Sequence, residues 1–222
     1  MLEKKYVVVV YDFGLSYSLL RNLTRFGCDI RVVPVDYSPE AVIALKPEGI
    51  LLAGGPGEPE SMGYAISRIG RLVGLRPILA TGLGHVLLGL SMGAEAVALE
   101  QPHFGADILV EEFGKRSRSA PFRTIQTHGV CLKADSLGKA GFRVSLANSR
   151  DKSVEGYENL EFLIQAYAFN LGGEDNHTFA FIRKFVSCME AHRATDHYKG
   201  YRAEIPDLLD EPIGVIVLTE VN

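Results

Sequence analysis

Tryptophan is absent from this chain, and cysteine is scarce, with only Cys28, Cys131 and Cys188 among 222 residues. The cysteines are far apart and form no C-x-x-C pair, so neither a disulfide framework nor a zinc site of the usual spacing is predicted. No apolar run approaches membrane-spanning length, and the first residues lack a signal-peptide pattern. We therefore expect a protein of the reduced cytoplasm, away from membranes, with no cofactor and no metal.

An excess of basic charge is also missing. The chain has 23 lysines and arginines against 27 acidic residues, a net charge of −4, so nothing favours nucleic acid as a partner. A hydrophobic content of 47% and a charged content of 23% are typical of a globular protein. This length is enough for one well-buried α/β domain and short for two.

Apolar runs alternate with helical patterns in about the first ninety residues. Runs at residues 6–11, 29–35, 49–53 and 77–80 predict buried strands, and a helix is expected over about residues 60–73. Ser38 is the expected N-cap of another helix, with Pro39 at its first position. The alternation predicts a doubly wound, mostly parallel sheet flanked by helices.

The second half has a different pattern, with short strands joined by turns and a helix at about residues 178–193. The strands are predicted at residues 96–99, 106–111, 122–127, 142–147, 154–157 and 160–166. The basic stretch 115–118 is expected at a hairpin tip. We expect one domain over residues 1–194 and an extension over 195–222, whose apolar run 213–218 must be paired, either in the same sheet or by exchange in a homodimer.

Residues 77–94 carry the most informative local pattern. A short strand runs into the tight turn Thr81-Gly82-Leu83-Gly84, and leucines then recur at helical spacing. A strand, turn and helix of this kind place the turn residue above the carboxyl edge of the sheet, beside free N–H groups. Many hydrolases present a nucleophile there, usually at positive φ. Here the residue is Gly82, for which we also expect positive φ.

The segment resembles the nucleophile elbow of class I (triad-type) glutamine amidotransferases, above all the glutaminase domain of the carbamoyl-phosphate synthase small chain. Other matching motifs follow in order, so that the likeness covers about residues 6–190; they are Tyr11-Asp-Phe-Gly14, Gly27-Cys-Asp-Ile-Arg-Val-Val-Pro34, Gly55-Pro-Gly-Glu-Pro59, Gln126-Thr-His-Gly129 and Phe162-Leu-Ile-Gln165. The resemblance implies a flavodoxin-like α/β fold with extra short strands in the second half.

All three triad positions of that family are replaced. The resemblance places Gly82 at the nucleophile, Tyr167 at the general base and Phe169 at the orienting carboxylate. Glycine cannot attack, tyrosine with an ordinary pKa of about 10 is a poor base at pH 7, and phenylalanine accepts no hydrogen bond. We therefore predict a catalytically inactive amidotransferase-like protein that acts as a binding, scaffolding or regulatory subunit.

The resemblance also assigns positions around the substrate. The two backbone donors of the oxyanion hole correspond to Gly55 and Leu83, and their function needs little from the side chains. The other binding positions come from matching motifs, and they are Gly57, Val86, Thr127, His128 and Val130. Since several of these are now apolar, we expect an apolar pocket, filled by its own side chains.

Two alternatives use the same fold. One is an enzyme of different chemistry built from Thr81, His85 and His128, although both histidines are more simply explained as structural residues bonded to backbone. The other is a non-hydrolysing subunit of an ammonia-dependent, carbamoyl-phosphate-type synthase. In either case the expected partner is a synthase-like protein or a second copy. The first strand is predicted at residue 6, so the separate N-terminal docking domain of the resembled small chain is not expected.

Other polar residues give weaker patterns. Cys131 follows a motif turn and is predicted to be a small buried hydrophobe. A group near the last helix matches no metal-ligand spacing and is predicted to be solvated surface; its members are Asp175, His177, His192, Asp196 and His197.

Overall fold

A computed structural model of the chain describes residues 5–55, 57–114 and 120–195. The strands are β1 Tyr6–Tyr11, β2 Cys28–Val33, β3 Gly49–Leu52, β4 Ile78–Thr81, β5 Ala96–Glu112, β6 Phe122–Leu132, β7 Arg143–Asn148, β8 Val154–Asn159 and β9 Ile164–Tyr167. The helices are α1 Tyr17–Arg25, α2 Pro39–Ala44, α3 Gly63–Gly70, α4 Leu83–Ser91, α5 Ala134–Lys139 and α6 Asn176–Arg193, with a 3-10 turn at Pro59–Ser61.

The described strands form one nine-stranded sheet in the order β2-β1-β3-β4-β9-β8-β7-β5-β6. The first five strands of this order are parallel, and the other four join with antiparallel pairings. Tyr11 lies beside Leu52, and Thr81 lies beside Tyr167. The parallel strands therefore end at a common edge, where crevices form in folds of this class. The predicted α/β class is confirmed.

Helices cover both faces of the parallel strands. Val9 and Tyr11 of β1 pack into the core on the side of α2, α3 and α4, whereas Val8 and Val10 pack on the side of α1 and α6. Burial on both faces explains the uninterrupted β-branched run of this strand. Ser38 caps α2 as predicted, because its Oγ accepts a hydrogen bond from Ala41 N at 3.2 Å.

The second half differs from the sequence prediction in its boundaries. Residues 96–112 form one strand rather than two, because irregular pairings around Pro102 and Gly105 carry the strand through both residues. Helix α5, only six residues long, was not predicted. Strand β9 begins at Ile164, since the chain first turns through Leu163 at φ +54°. The helix expected over residues 60–73 divides into a 3-10 turn and α3.

The predicted hairpin tip at residues 115–118 and the apolar run at residues 213–218 lie outside the described residues, as does nearly all of the extension. Among the helices of the described residues, none combines the length and apolar character that crossing a membrane requires.

Candidate functional site

The turn between β4 and α4 has the backbone of a nucleophile elbow. Gly82 has φ +53° and ψ −121°, so the predicted positive φ is confirmed. Its N–H donates to the carbonyl of Tyr167 at 3.0 Å, which ties the turn to the end of β9. A Cβ at this position would lie 3.0 Å from Gly54 Cα. Glycine is therefore favoured here both by its backbone conformation and by the small space.

The loop after β3 faces this turn. Gly54 N–H donates to Thr81 Oγ1 at 3.1 Å, and Gly55 N lies 3.8 Å from where a Cβ on Gly82 would be. A Cβ on Gly55 would lie 1.6 Å from Phe13 O, so no side chain fits there. Leu83 is the first residue of α4, and a helix leaves its first N–H groups without partners of its own. The two positions that the resemblance assigns to an oxyanion hole thus flank residue 82.

A crevice of about 470 Å³ opens over the elbow, at the carboxyl ends of the parallel strands. The seven predicted binding positions all line it, namely Gly55, Gly57, Leu83, Val86, Thr127, His128 and Val130. The other lining side chains are mostly apolar, and among the described lining residues there is no aspartate, glutamate, lysine or arginine. The expected apolar lining is present, but the expectation of a filled pocket is wrong.

Tyr167 does not line the crevice. This side chain is only 3% exposed, and its ring lies 4.4 Å from the ring of Phe181 and 5.5 Å from that of Phe169. Its hydroxyl donates to Gln165 Oε1 at 3.3 Å. Burial raises the pKa of Tyr167 above its ordinary value. The residue at the family's base position is therefore a protonated phenol within an aromatic cluster.

Phe169 belongs to both the crevice and this cluster. It lines the crevice, and its ring centroid lies 5.7 Å from that of Phe181 and 6.0 Å from that of Phe122. The position of the family's orienting carboxylate is thus occupied by an apolar ring.

The structure brings together only two of the three residues proposed for a relocated polar site. Thr81 and His128 line the crevice, but His85 does not. The ring of His85 is fully buried, 4.8 Å from the ring of Tyr157, and burial lowers its pKa to about 3, so it is neutral at pH 7. Neither ring nitrogen has a partner among the described residues, so the prediction of a ring bond to backbone is wrong for His85. It is correct for His128, whose Nδ1 lies 3.0 Å from Val130 O.

The remaining candidates that lie among the described residues do not come together in one site. Cys131 is buried, and burial raises its pKa to about 11, so it is a thiol at neutral pH. His177 stacks on Phe122 at the start of α6, whereas His192 is buried near its other end. These two histidines lie about 22 Å apart along the helix, and the solvated surface predicted for His192 is wrong. Asp196 and His197 lie outside the described residues.

Sequence reasoning missed a buried polar cluster behind His128. His103 on β5, Gln126 on β6 and Glu155 on β8 contact one another and His128. Gln126 belongs to a motif identified in the sequence, but His103 and Glu155 lie on two other strands, 52 positions apart, so no local motif could have indicated the cluster.

Comparison with known proteins agrees with the geometry. Residues 9–169 match the profile of the family described as glutamine amidotransferase class-I. The chain is 34% identical over 194 residues to the carbamoyl phosphate synthase small chain of Syntrophotalea carbinolica, covering 86% of this chain and 50% of the relative. It is 40% identical over 157 residues to the carbamoyl phosphate synthase small chain of Pasteurella multocida, and the match covers 70% of this chain and 40% of the relative. The chain thus spans about half the length, or less, of these curated relatives.

A solved structure supports the fold. The described architecture is similar to that of a putative GMP synthase component from Thermoplasma acidophilum, with a TM-score of 0.71 and 20% sequence identity. The match covers 85% of this chain and 96% of the other.

Proposed function

Because this chain belongs to the glutamine amidotransferase class I family, we propose that it is a catalytically inactive, glutaminase-like protein that hydrolyses no glutamine and acts as a binding, scaffolding or regulatory subunit. The observation that carries the proposal is Gly82, which keeps the elbow backbone but presents no side chain to the crevice.

The chemistry of the family needs a thiolate, a base near neutral pKa and a group that orients the base. Gly82 supplies no attacking atom. Tyr167 is a buried phenol that faces away from the crevice, and Phe169 neither donates nor accepts a hydrogen bond. Cys131 lies two positions after the Gln126-Thr-His-Gly129 motif, but it is a buried thiol that does not line the crevice.

The open crevice supports a binding function rather than hydrolysis. The crevice is open, and its apolar lining suits a ligand or peptide segment better than the polar amide of glutamine. Relatives at 34–40% identity are named carbamoyl phosphate synthase small chains. We therefore propose a synthase-like protein as partner, with a second copy of this chain as the other candidate.

One observation favours a second candidate, an enzyme of different chemistry. Thr81 and His128 both line the open crevice. However, the Thr81 hydroxyl already accepts a bond from Gly54, and His85 lies outside the crevice. His85 is therefore not in place to act as a base on the hydroxyl of Thr81.

The proposal is tested by measuring ammonia release from glutamine with the purified full chain. We expect no release above the buffer background, either from the wild type or from Gly82→Cys, because a restored thiol still lacks its base. Saturable release that survives purification would contradict the proposal. If such release were lost in Cys131→Ser but kept in Cys188→Ser, the nucleophile would have moved to residue 131.

A further inference from the structure

Four side chains converge in the interior, just behind the crevice wall formed by His128. Gln126 Oε1 lies 3.0 Å from His103 Nδ1 and 3.0 Å from His128 Nε2. Glu155 Oε1 lies 3.0 Å from His103 Nδ1, and its Oε2 lies 3.7 Å from His128 Nε2. Three possible ligand atoms, one each from His103, His128 and Glu155, all lie within 4.8 Å of one another.

The outward-facing nitrogen of each histidine lies beside an oxygen that can accept its proton. His128 Nδ1 lies 3.0 Å from Val130 O, which can only accept. His103 Nε2 lies 2.8 Å from Asp151 Oδ2, a carboxylate oxygen. The Asn148 amide nitrogen is farther from it, at 3.5 Å. The other two nitrogens, His128 Nε2 and His103 Nδ1, face the cluster, and a neutral imidazole protonated on its outward side presents a lone pair there.

The other two groups also present lone pairs. Gln126 Nε2 donates to Thr124 Oγ1 and to Glu155 Oε2, both at 2.9 Å, and this fixes Oε1 as the atom that faces the histidines. Glu155 is completely buried, and its Oε1 makes no hydrogen bond among the described residues. Two imidazole nitrogens, the Gln126 amide oxygen and the Glu155 carboxylate, all of them able to act as ligands, therefore face one another.

A positive charge stabilises this arrangement, because a buried carboxylate without a countercharge is costly. One divalent ion satisfies all four acceptors at once. We propose that His103, Gln126, His128 and Glu155 bind a divalent transition-metal ion of the Zn²⁺ class.

The geometry and the surroundings fit such an ion. A tetrahedral site with bonds of about 2.0–2.1 Å has ligand atoms about 3.3 Å apart. Gln126 Oε1 lies 3.0 Å from each histidine nitrogen, and Glu155 Oε1 lies 3.0 Å from His103 Nδ1. Imidazole nitrogens suit zinc and its neighbours. The hydrogen bonds to Asp151 and to Val130 O are of the kind that orient metal-bound histidines. Since His128 also lines the crevice, the ion holds one crevice wall in place.

The test is direct metal binding by the full chain after its metal has been removed with a chelator. We expect one Zn²⁺ per chain by calorimetry, no binding of Mg²⁺, and a visible absorption band when Co²⁺ replaces Zn²⁺. His103→Gln and Glu155→Gln should each weaken Zn²⁺ binding more than tenfold, and Asp151→Asn about tenfold. The matched control is His177→Gln, which changes a histidine outside the cluster and should leave the affinity unchanged.

Three results would overturn the proposal. They are the absence of stoichiometric Zn²⁺ binding by the wild type, an affinity that is equal in the wild type and Glu155→Gln, and histidine ¹⁵N shifts showing both rings doubly protonated at pH 7 whether or not Zn²⁺ is present. The Co²⁺ spectrum and the ¹⁵N shifts are measured on the wild type, so they decide the matter even if a ligand variant fails to fold.

Discussion

Gly82 combines a left-handed backbone with close contact to the loop opposite. At φ +53° a non-glycine residue is strained, at a cost of about 1–3 kcal/mol. A nucleophilic enzyme tolerates that strain because the turn presents its reactive side chain. Here nothing is presented, and glycine occupies the turn without the steric cost.

Gly82→Ala should therefore lower the free energy of unfolding by about 1 kcal/mol or more, although alanine reduces the entropy of the unfolded chain. The added Cβ would lie 3.0 Å from Gly54 Cα. The measurement is the midpoint of chemical denaturation. Gly138→Ala is the matched control, because a Cβ there meets nothing within 4 Å and its backbone needs no glycine, so its midpoint should stay or rise. A Gly82→Ala midpoint at or above wild type would mean that the turn is not strained.

At the scale of elements, an aromatic cluster joins the end of β9 to α6. Tyr167, Phe169 and Phe181 pack together, and Phe122 of β6 completes the group. In this chain the end of β9, where the family places its base and orienting carboxylate, supplies apolar packing. Substituting the family's catalytic residues at these positions should therefore destabilise the fold.

Phe169→Glu should destabilise the fold by at least about 3 kcal/mol at pH 7, since it removes a buried ring and places a carboxylate in its cluster. Burial would raise the pKa of the new glutamate in the folded state. The loss should then be smaller at pH 4, where the carboxyl group is protonated, and grow as the pH rises. Urea denaturation at both pH values measures this. Phe169→Leu, the apolar control, should cost about 1–2 kcal/mol with no pH dependence; equal losses for the two variants would contradict the burial argument.

The N-terminus of α6 depends on one ionised side chain. Asp175 Oδ1 accepts from Thr178 N at 2.9 Å, and Oδ2 accepts from Thr178 Oγ1 at 2.7 Å. Burial opposes ionisation, but these hydrogen bonds outweigh it and hold the pKa of Asp175 below its usual range. A lowered pKa means that the stabilisation is present above the unfolded-state pKa of about 3.9 and is lost as the pH falls through the folded-state value.

Asp175→Ala should accordingly cost about 1 kcal/mol at pH 7, because the helix loses its N-cap. The difference from wild type should shrink below about pH 4. Thermal unfolding between pH 3 and pH 7 measures both effects. Asp175→Asn keeps a capping oxygen but cannot ionise, so its stability should lack this part of the pH dependence. An Asp175→Ala deficit that stays constant across the range would show that the charge contributes nothing.

At the scale of the whole molecule, the sequence predicted the parallel half better than the antiparallel half. Runs such as residues 6–11 are buried on both faces, so their composition alone identifies them as strands. In β5, by contrast, Pro102 and Gly105 are normal break signals, and only pairing with β6 carries the strand past them.

The candidate site also has features that the sequence predicted and features that it did not. Motif order predicted the seven binding positions that line the crevice, because the backbone of the glycine-rich turns, of α4 and of β6 determines where those residues lie. The direction of a side chain is decided by packing, however, and the sequence therefore predicted neither the turn of Tyr167 away from the crevice nor the isolation of His85. The His103–Glu155 contact joins β5 to β8, and no local pattern in the sequence indicates that these two strands come together.

The central claim, that this member of the family has no working nucleophile in its crevice, is tested most directly by intact-mass measurement after treatment with a glutamine analogue bearing an electrophilic carbon. A class I glutaminase that carries the family's cysteine serves as the positive control and should gain one adduct. We predict that this chain keeps its unmodified mass under the same conditions. One stoichiometric adduct on a crevice residue or on Cys131, formed by the wild type and blocked by excess glutamine, would contradict the account.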